Sequence, residues 1–518
     1  ISHNSQGGQI LASDSIAAIL ENNELITTLD LNNMNLGSQG LNKLFSIVQQ
    51  HILRDLNIAG NGLDINSVEQ LAQILSSEES KLLHLNISNN AITIEGLVLL
   101  ANSLKHNNSL EILELSQIGN LGKEGGQHLS LFLTDNKSLL KLDISNNNLS
   151  YIGAKFLAKG LSVNSSLVQI NISNNNLDEA GCIFISEALE TNNSLTTLNL
   201  KDNHVQSTGS IYLAAMLEQY NHIQYLNLTG NQINDTGIEA LASVMHNLKA
   251  LNLSNNQITT NDAGFLAETL KSGVALKILI LNNNCLQVAG ALEIISALKD
   301  NFALHTLGLK SVNIGDAGVA QIVPTLLENI SIAILDLGSN SISKNGAMHI
   351  ANLLKDNSFI TSVNLTGNQL TAEGEVLLTK ALAVSNVSSL GDITDKSGSI
   401  RKALSINVNK LQTKLKSLNT EDIKDFTSED LFKLYHQILA RKESNAPELS
   451  YSDIKDDTAY LKQIDTILQT IKNQKQPVHE EKENYSPRMD LSTEDILLNV
   501  LEAIDILGNV EQPFDLIY

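Results

Sequence analysis

One pattern, LxLxxNxL, governs this chain. Its first apolar position recurs at Leu29, Leu56, Leu85, Leu113, Leu142, Ile170, Leu198, Leu226, Leu251, Leu279, Leu307, Leu335 and Val363. The spacing is 28 residues with few departures: 27 and 29 near the start, 29 before Leu142 and 25 before Leu251. A fixed period of this length means one supersecondary unit repeated, each unable to bury its apolar face alone, so that the units must stack.

Within a unit the alternating apolar pair predicts a short strand. About four residues past the last Leu or Ile comes a glycine, as at Gly40, Gly96, Gly153 and Gly181. A helical pattern follows, as in GLVLLANSL. Six residues before the next strand position stands Asn107, Asn136, Asn164, Asn192, Asn301, Asn329 or Asn357, with Gly273 in one unit. Both residue types tolerate left-handed backbone, which predicts that they close the helices.

The asparagine inside the pattern is Asn61, Asn90, Asn147, Asn175, Asn203, Asn231, Asn256, Asn284, Asn340 and Asn368. At that point the chain leaves the strand and strands backbone donors and acceptors inside the stack. A buried amide with two donors and an acceptor can satisfy them, and stacking predicts a ladder of such amides. Met34, Ile118 and Val312 interrupt it. In the fourth unit, one residue long, Asn120 is expected to bulge inward as a replacement; Asp262 sits in a second enlarged turn.

These features resemble the ribonuclease-inhibitor-like class of leucine-rich repeats, shared with sensor regions of Nod-like receptors and some bacterial effectors. The resemblance covers residues 22–390. It implies an α/β horseshoe solenoid of about 13 repeats, with a parallel β inner wall, helices outside, and a macromolecule bound on that wall. The low Cys and Trp content departs from the strict ribonuclease inhibitors.

The middle strand position points into the horseshoe and is mostly Asn or Asp. Ile278 and Ile280, beside Gly308 and Ile334, predict an exposed apolar patch with Lys310 and Asp336 at its edge, the pattern of a protein-binding hot spot. Drift on a tolerant surface gives the same sequence. Tyr225, Lys201 and Lys141 make a weaker second candidate.

After Leu390 the period stops. Residues 391–518 read as a separate α-helical domain, with helices over 400–418, from Thr427 to Lys442, through Leu461–Ile471, and from Ser492 to Leu507. Between Lys396 and Lys416 every charge is positive, so this stretch either packs in the bundle or touches an acidic partner or anionic lipid. The net charge of −22 argues against nucleic acid as a partner. No apolar run is long enough to span a bilayer. Two distant cysteines exclude a disulfide framework and a four-cysteine metal site. The sequons at Asn86, Asn171, Asn227, Asn252 and Asn364 always fall at the same place in the period, which reads as a by-product of the repeat. A monomer in a reducing cytosol is expected.

No P-loop, dinucleotide turn, HExxH or GxSxG is present, and neither cysteine lies in the tail. No cofactor, metal or catalytic residue is assigned. The function expected is a non-catalytic scaffold that binds a protein through the concave face. The Asn-rich, Pro-poor composition and the unlike tail resemble effectors delivered by intracellular bacteria into host cytosol through type IV secretion. The alternative is an effector enzyme with its active site in the tail and the repeats selecting substrate.

Overall fold

The computed structural model describes residues 15–407, apart from 21, 22, 24, 49–51, 388 and 392–397. The tail helices beyond 407 lie outside the described residues. Among the described residues thirteen three-residue strands alternate with thirteen helices. The strands are β1 (Thr28–Asp30), β2 (Asp55–Asn57), β3 (His84–Asn86), β4 (Ile112–Glu114), β5 (Lys141–Asp143), β6 (Gln169–Asn171), β7 (Thr197–Asn199), β8 (Tyr225–Asn227), β9 (Ala250–Asn252), β10 (Ile278–Ile280), β11 (Thr306–Gly308), β12 (Ile334–Asp336) and β13 (Ser362–Asn364). The helices are α1 (Gly37–Val48), α2 (Ile65–Ser76), α3 (Ile94–Leu104), α4 (Gly122–Asp135), α5 (Ser150–Leu161), α6 (Asp178–Leu189), α7 (Gln206–Gln219), α8 (Asp235–Ser243), α9 (Thr260–Lys271), α10 (Gln287–Ala297), α11 (Gly315–Glu328), α12 (Lys344–Asp356) and α13 (Ala372–Leu382). Each numbered strand and helix form one coil.

The coils fall into two compact units that divide near the end of α9: one runs to Thr269 with Val274–Leu276, the other takes Leu270–Gly273 and the chain from Lys277. In the first unit β1 to β9 pair in parallel, each with the next, in a register that sets Leu29 beside Leu56 and Leu226 beside Leu251. In the second unit β10 to β13 pair likewise, Leu279 beside Leu307, Leu335 and Val363. The alternating apolar pair lies in the core: Ile170 and Ile172, or Leu307 and Leu309, are fully buried. An aliphatic core stacked at one-strand spacing requires close helix approach. At Gly153 an added Cβ would lie 2.4 Å from the Gly122 carbonyl oxygen, so only glycine lets α5 pack on α4. The 25-residue coil takes its shortfall from the helix: α8 has 9 residues and is followed by a 3-10 turn, Met245–Asn247.

The amide ladder is present. Asn175, fully buried, donates through Nδ2 to the carbonyl oxygens of Ile144 (2.9 Å), Ile172 (3.1 Å) and Ser173 (3.1 Å). Its Oδ1 accepts from the backbone N–H of Asn147 and of Leu149 in the preceding coil. The amides of Asn61, Asn90, Asn147, Asn203, Asn231 and Asn340 make equivalent bonds to their own turn and to that of the preceding coil. Asn256 and Asn284 are buried at the same register position, and Asn368 is half-buried in the last coil. In the run ISNNNL the two outer asparagines have another role. Asn146 and Asn148, like Asn174 and Asn176, adopt left-handed backbone at φ between 48° and 58° and are exposed. Left-handed turns thus flank the buried amide on either side.

Two expectations require correction. Asn120 does not enter the stack. It is exposed and accepts from Asn148 Nδ2 (3.1 Å), while buried Ile118 occupies the ladder position and its N–H donates to Asn147 Oδ1 (2.8 Å). Nor are the asparagines at the helix ends left-handed. Asn136, Asn329 and Asn357 have φ of −68°, −77° and −94°. They form a second ladder: Asn136 Nδ2 donates to the carbonyls of Leu104 (2.8 Å) and Asn107 (3.2 Å), and its Oδ1 accepts from the N–H of Ser138 and Leu139. Asn164, Asn192, Asn329 and Asn357 repeat this bond pair. Gly273, with φ of +76°, does close its helix in left-handed backbone.

Asp262 also has a local role. It is buried, and one carboxylate oxygen accepts from the Thr259 N–H and hydroxyl at the start of α9. Residues 399–407, assigned by sequence to the tail, form a helical segment packed on the last coil. Ile400 is fully buried there, and Asn407 Nδ2 donates to the carbonyls of Leu382 and Val387. Arg401 and Lys402 of this segment are exposed.

Candidate functional site

The candidate wall of the second unit is built by β10, β11 and β12. Their register places Ile278, Thr306 and Ile334 in one row, and Ile280, Gly308 and Asp336 in the next. In the first row Ile278 and Ile334 are half-buried and Thr306 between them is buried; Lys310 just beyond β11 is half-buried. The expected exposure fails for two members. Ile280 is 2% exposed and Asp336 7%. The cause is Gly308. With no side chain at position 308, Ile280 leans across: its Cγ2 stands 2.8 Å from where a Cβ of residue 308 would be. Asn282 fills the same space, accepting from Lys310 N–H (2.8 Å) and reaching Asp336 Oδ2 at 3.5 Å. Burial raises the Asp336 carboxyl above its usual range, while the Gly338 N–H and the charge of Lys310 partly oppose the shift. The wall here is therefore closed underneath, with Ile278, Ile334 and Lys310 as its accessible edge.

Tyr225, Lys201 and Lys141 do not form one cluster. Tyr225 lies on β8 and is 8% exposed. Lys141 is on β5, three strands away, which at strand spacing is roughly 14 Å. Lys201 follows β7 and is half-buried.

The first unit carries a wall feature that the sequence reading passed over. His84 on β3 lies between two carboxylates, its Nε2 3.0 Å from Glu114 Oε1 on β4 and its Nδ1 3.7 Å from Asp55 Oδ1 on β2. Glu114 also accepts from Asn86 Nδ2 (2.6 Å), and Asp55 from the Thr28 hydroxyl (3.0 Å). Asp143 on β5 accepts from Asn171 Nδ2 (2.9 Å), and burial raises its carboxyl, with the nearby charge of Glu114 acting in the same direction. The signal was available in the position before the strand leucine, where Asp55, His84, Ile112 and Lys141 vary.

Three further groups define the chemistry on offer. Cys182 is buried, its thiol pushed up to about 12 by burial, and Cys285 is exposed; both are free. Among the described residues no three His, Cys, Asp or Glu side chains are placed to hold a metal ion, and no helix is long and apolar enough to cross a membrane. The sequon asparagines serve the repeat: Asn227 and Asn252 are buried, and their Oδ1 atoms accept from the N–H and hydroxyl two residues on, in Thr229 and Ser254.

A leucine-rich-repeat family model matches residues 80–101, 135–158, 191–214, 221–242, 244–267 and 356–375. Over 139 residues the chain is 34% identical to NACHT, LRR and PYD domains-containing protein 3 of Bos taurus, covering 26% of this chain and 13% of that protein. Over 134 residues it is 31% identical to NACHT, LRR and PYD domains-containing protein 14 of Mus musculus, covering 25% and 13%. The chain thus matches about an eighth of the length of these relatives. A chain of the yeast Rad7 and Elc1 complex superposes with a TM-score of 0.46 at 16% identity, covering 71% of this chain and 90% of that one. The chain contains leucine-rich repeats, and over about a quarter of its length they are similar to stretches of the NACHT, LRR and PYD domains-containing proteins.

Proposed function

We propose that the scaffold is non-catalytic and that its partner is a protein held against the inner wall of β10 to β12. The observation that carries this reading is the row of Ile278 and Ile334 flanked by Lys310, on a wall whose other positions are mostly short and polar. Half-buried aliphatic side chains beside a cation give a partner both desolvation and a charge to pair with. The finer reading is an effector that a bacterium delivers into host cytosol. Its support is the composition, together with repeats of animal type joined to an unlike tail. An active site in residues 391–518 is the competing reading, and it falls almost wholly outside the described residues.

The test uses host lysate and the full chain, with Ile278→Asp and Ile334→Asp introduced together. Both positions are half-buried, so the charges stay wet; Ile280→Asp would bury a carboxylate and confound binding with folding. The double variant is expected to lose the captured protein while keeping its circular dichroism. An unchanged capture profile would remove this wall from consideration.

A further inference from the structure

Aromatic residues make up 4% of the chain, yet three of them share one register position on neighbouring helices of the first unit. They are Phe156 on α5, Phe184 on α6 and Tyr212 on α7, each 28 residues from the last. The core does not require them, because Leu157, Ile185 and Leu213 on the same helices are fully buried and fill it. Phe156, Phe184 and the adjacent Ile183 are half-buried, while Tyr151, Ile152, Ile211 and Tyr212 beside them are exposed. Contiguous apolar side chains left at the surface mark an interaction site, though they do not say with what.

The arrangement of charge around them selects the occupant. Helix α5 carries Lys155 and Lys159 and no acid, whereas α6 carries Asp178, Glu179 and Glu187 and no base. Asp178 is committed to its own helix start, accepting from the N–H of Ala180 and Gly181. The two lysines turn to rings instead of to the acids next door. Lys155 Nζ lies over the Phe184 ring at 5.2 Å, and Lys159 Nζ over the Phe156 ring at 5.1 Å. Among the described residues no salt bridge holds Lys155, Lys159, Glu179 or Glu187, although neighbouring coils do form one where Lys105 meets Asp135 at 2.9 Å. A basic helix thus stands beside an acidic one, with aromatic rings between them. Rotated by half a turn, that surface is complementary to itself, which is what an isologous interface requires.

We propose that the α5–α6 surface is a homodimer interface, in which α5 of one molecule lies antiparallel across α6 of a second copy, about a two-fold axis between the two helices. Phe156 then packs on the second copy's Phe184. Lys159 meets the second copy's Glu179, Tyr151 and Lys155 meet its Glu187, and the symmetry makes each contact twice. The same axis sets α7 opposite α4, bringing exposed Ile211 toward exposed Leu131. A partner of uniform charge would suit one helix and be repelled by the other, and an anionic bilayer would be repelled by α6. A dimer replaces the monomer expected from sequence.

Sedimentation equilibrium of the full chain over roughly 1–100 μM, a range that reaches weak specific interfaces, is expected to show a monomer–dimer equilibrium. Lys155→Glu with Lys159→Glu makes both helices acidic and should raise the dissociation constant about a hundredfold. Glu179→Lys with Glu187→Lys makes both basic and should do the same. All four side chains are exposed or half-buried, so circular dichroism should not change. The decisive sample is an equal mixture of the two variants. Each supplies the charge that the other's helices lack, so dimers should return, now with one copy of each. A wild-type chain that stays monomeric, variants that dimerise as wild type does, or a mixture that stays monomeric would each overturn the proposal. Ile278→Asp with Ile334→Asp should leave the dimer intact, so failure here and failure of the inner wall are separately visible.

Discussion

Replacing Asn175 by leucine tests the amide ladder at a single position. Leucine has the branching and heavy-atom count of asparagine, so no cavity opens, and its bulkier methyl groups add overpacking strain to the loss of the polar bonds. The three carbonyls that lose Asn175 Nδ2 all keep another donor: Ile144 O has Asn147 Nδ2 (2.9 Å), Ile172 O has Asn203 Nδ2 (2.8 Å), and Ser173 O has the Asn146 N–H (3.0 Å). The loss falls on the donors. The N–H groups of Asn147 and Leu149 are bonded to Asn175 Oδ1 at 3.2 and 3.1 Å and would be left orphaned in the stack. At about 1–3 kcal/mol for each buried group left unmade, the cost is about 2–6 kcal/mol. In a solenoid that cost appears first as local opening between coils 5 and 6. Urea denaturation followed by circular dichroism should show a lower midpoint, and amide exchange should accelerate around residues 145–150. Asn176→Gly is the control, because Asn176 is exposed, left-handed at φ 53°, and bonded only at the surface to Asn148. It should change stability by less than about 0.5 kcal/mol. If the two variants prove equally stable, the buried amides are not what joins the coils.

Further expectations follow from other buried groups. His305 is buried and its imidazole is depressed to about 3 by burial and by the charge of Lys277. Its folded value lies below the ordinary 6.5, so the stability it contributes is present above 6.5 and is lost as pH falls from there toward 3. His305→Leu should flatten the pH dependence of the urea midpoint in that window by up to about 1.4 kcal/mol per pH unit. Gly153→Ala forces a methyl toward the Gly122 carbonyl oxygen and should cost about 1–3 kcal/mol in urea titration, more than Gly273→Ala, where only left-handed strain is added. In a thiol titration of the folded chain Cys285 should react at neutral pH and Cys182 only on unfolding, since the first is exposed and the second buried with its thiol held at about 12.

The stack was legible because it rests on period, and period survives in one sequence. Leu29 to Val363 set every strand, and the buried amides followed from counting backbone groups that a turn must leave unpaired. What failed depended on lateral neighbours. Ile280 was read as exposed from its strand position alone, yet whether it is covered is decided 28 residues away, where Gly308 has no side chain to hold it upright. The helix-end asparagines were misassigned for a different reason. Tolerance of left-handed backbone and capacity to donate two hydrogen bonds belong to the same residue, and sequence does not say which is in use. The structure divides the roles: flanking asparagines such as Asn146 and Asn148 take the unusual backbone, while Asn136 and its equivalents take the bonding. The pair of carboxylates around His84 needed three strands to be set side by side before it existed at all.

The repetition of ISNNNL at 144–149 and 172–177 has a genetic consequence. The turn between strand and helix in coil 6 bonds as the corresponding turn in coil 5 does, amide for amide. Excising residues 144–171 would therefore splice identical text to identical text and keep the turn amides matched on either side of the scar, while on the helix side Ala188 would stand where Gly160 meets Ser130. A protein joined this way can gain or lose whole turns by unequal recombination, altering how far its binding surface reaches while each remaining turn keeps the bonds it already had.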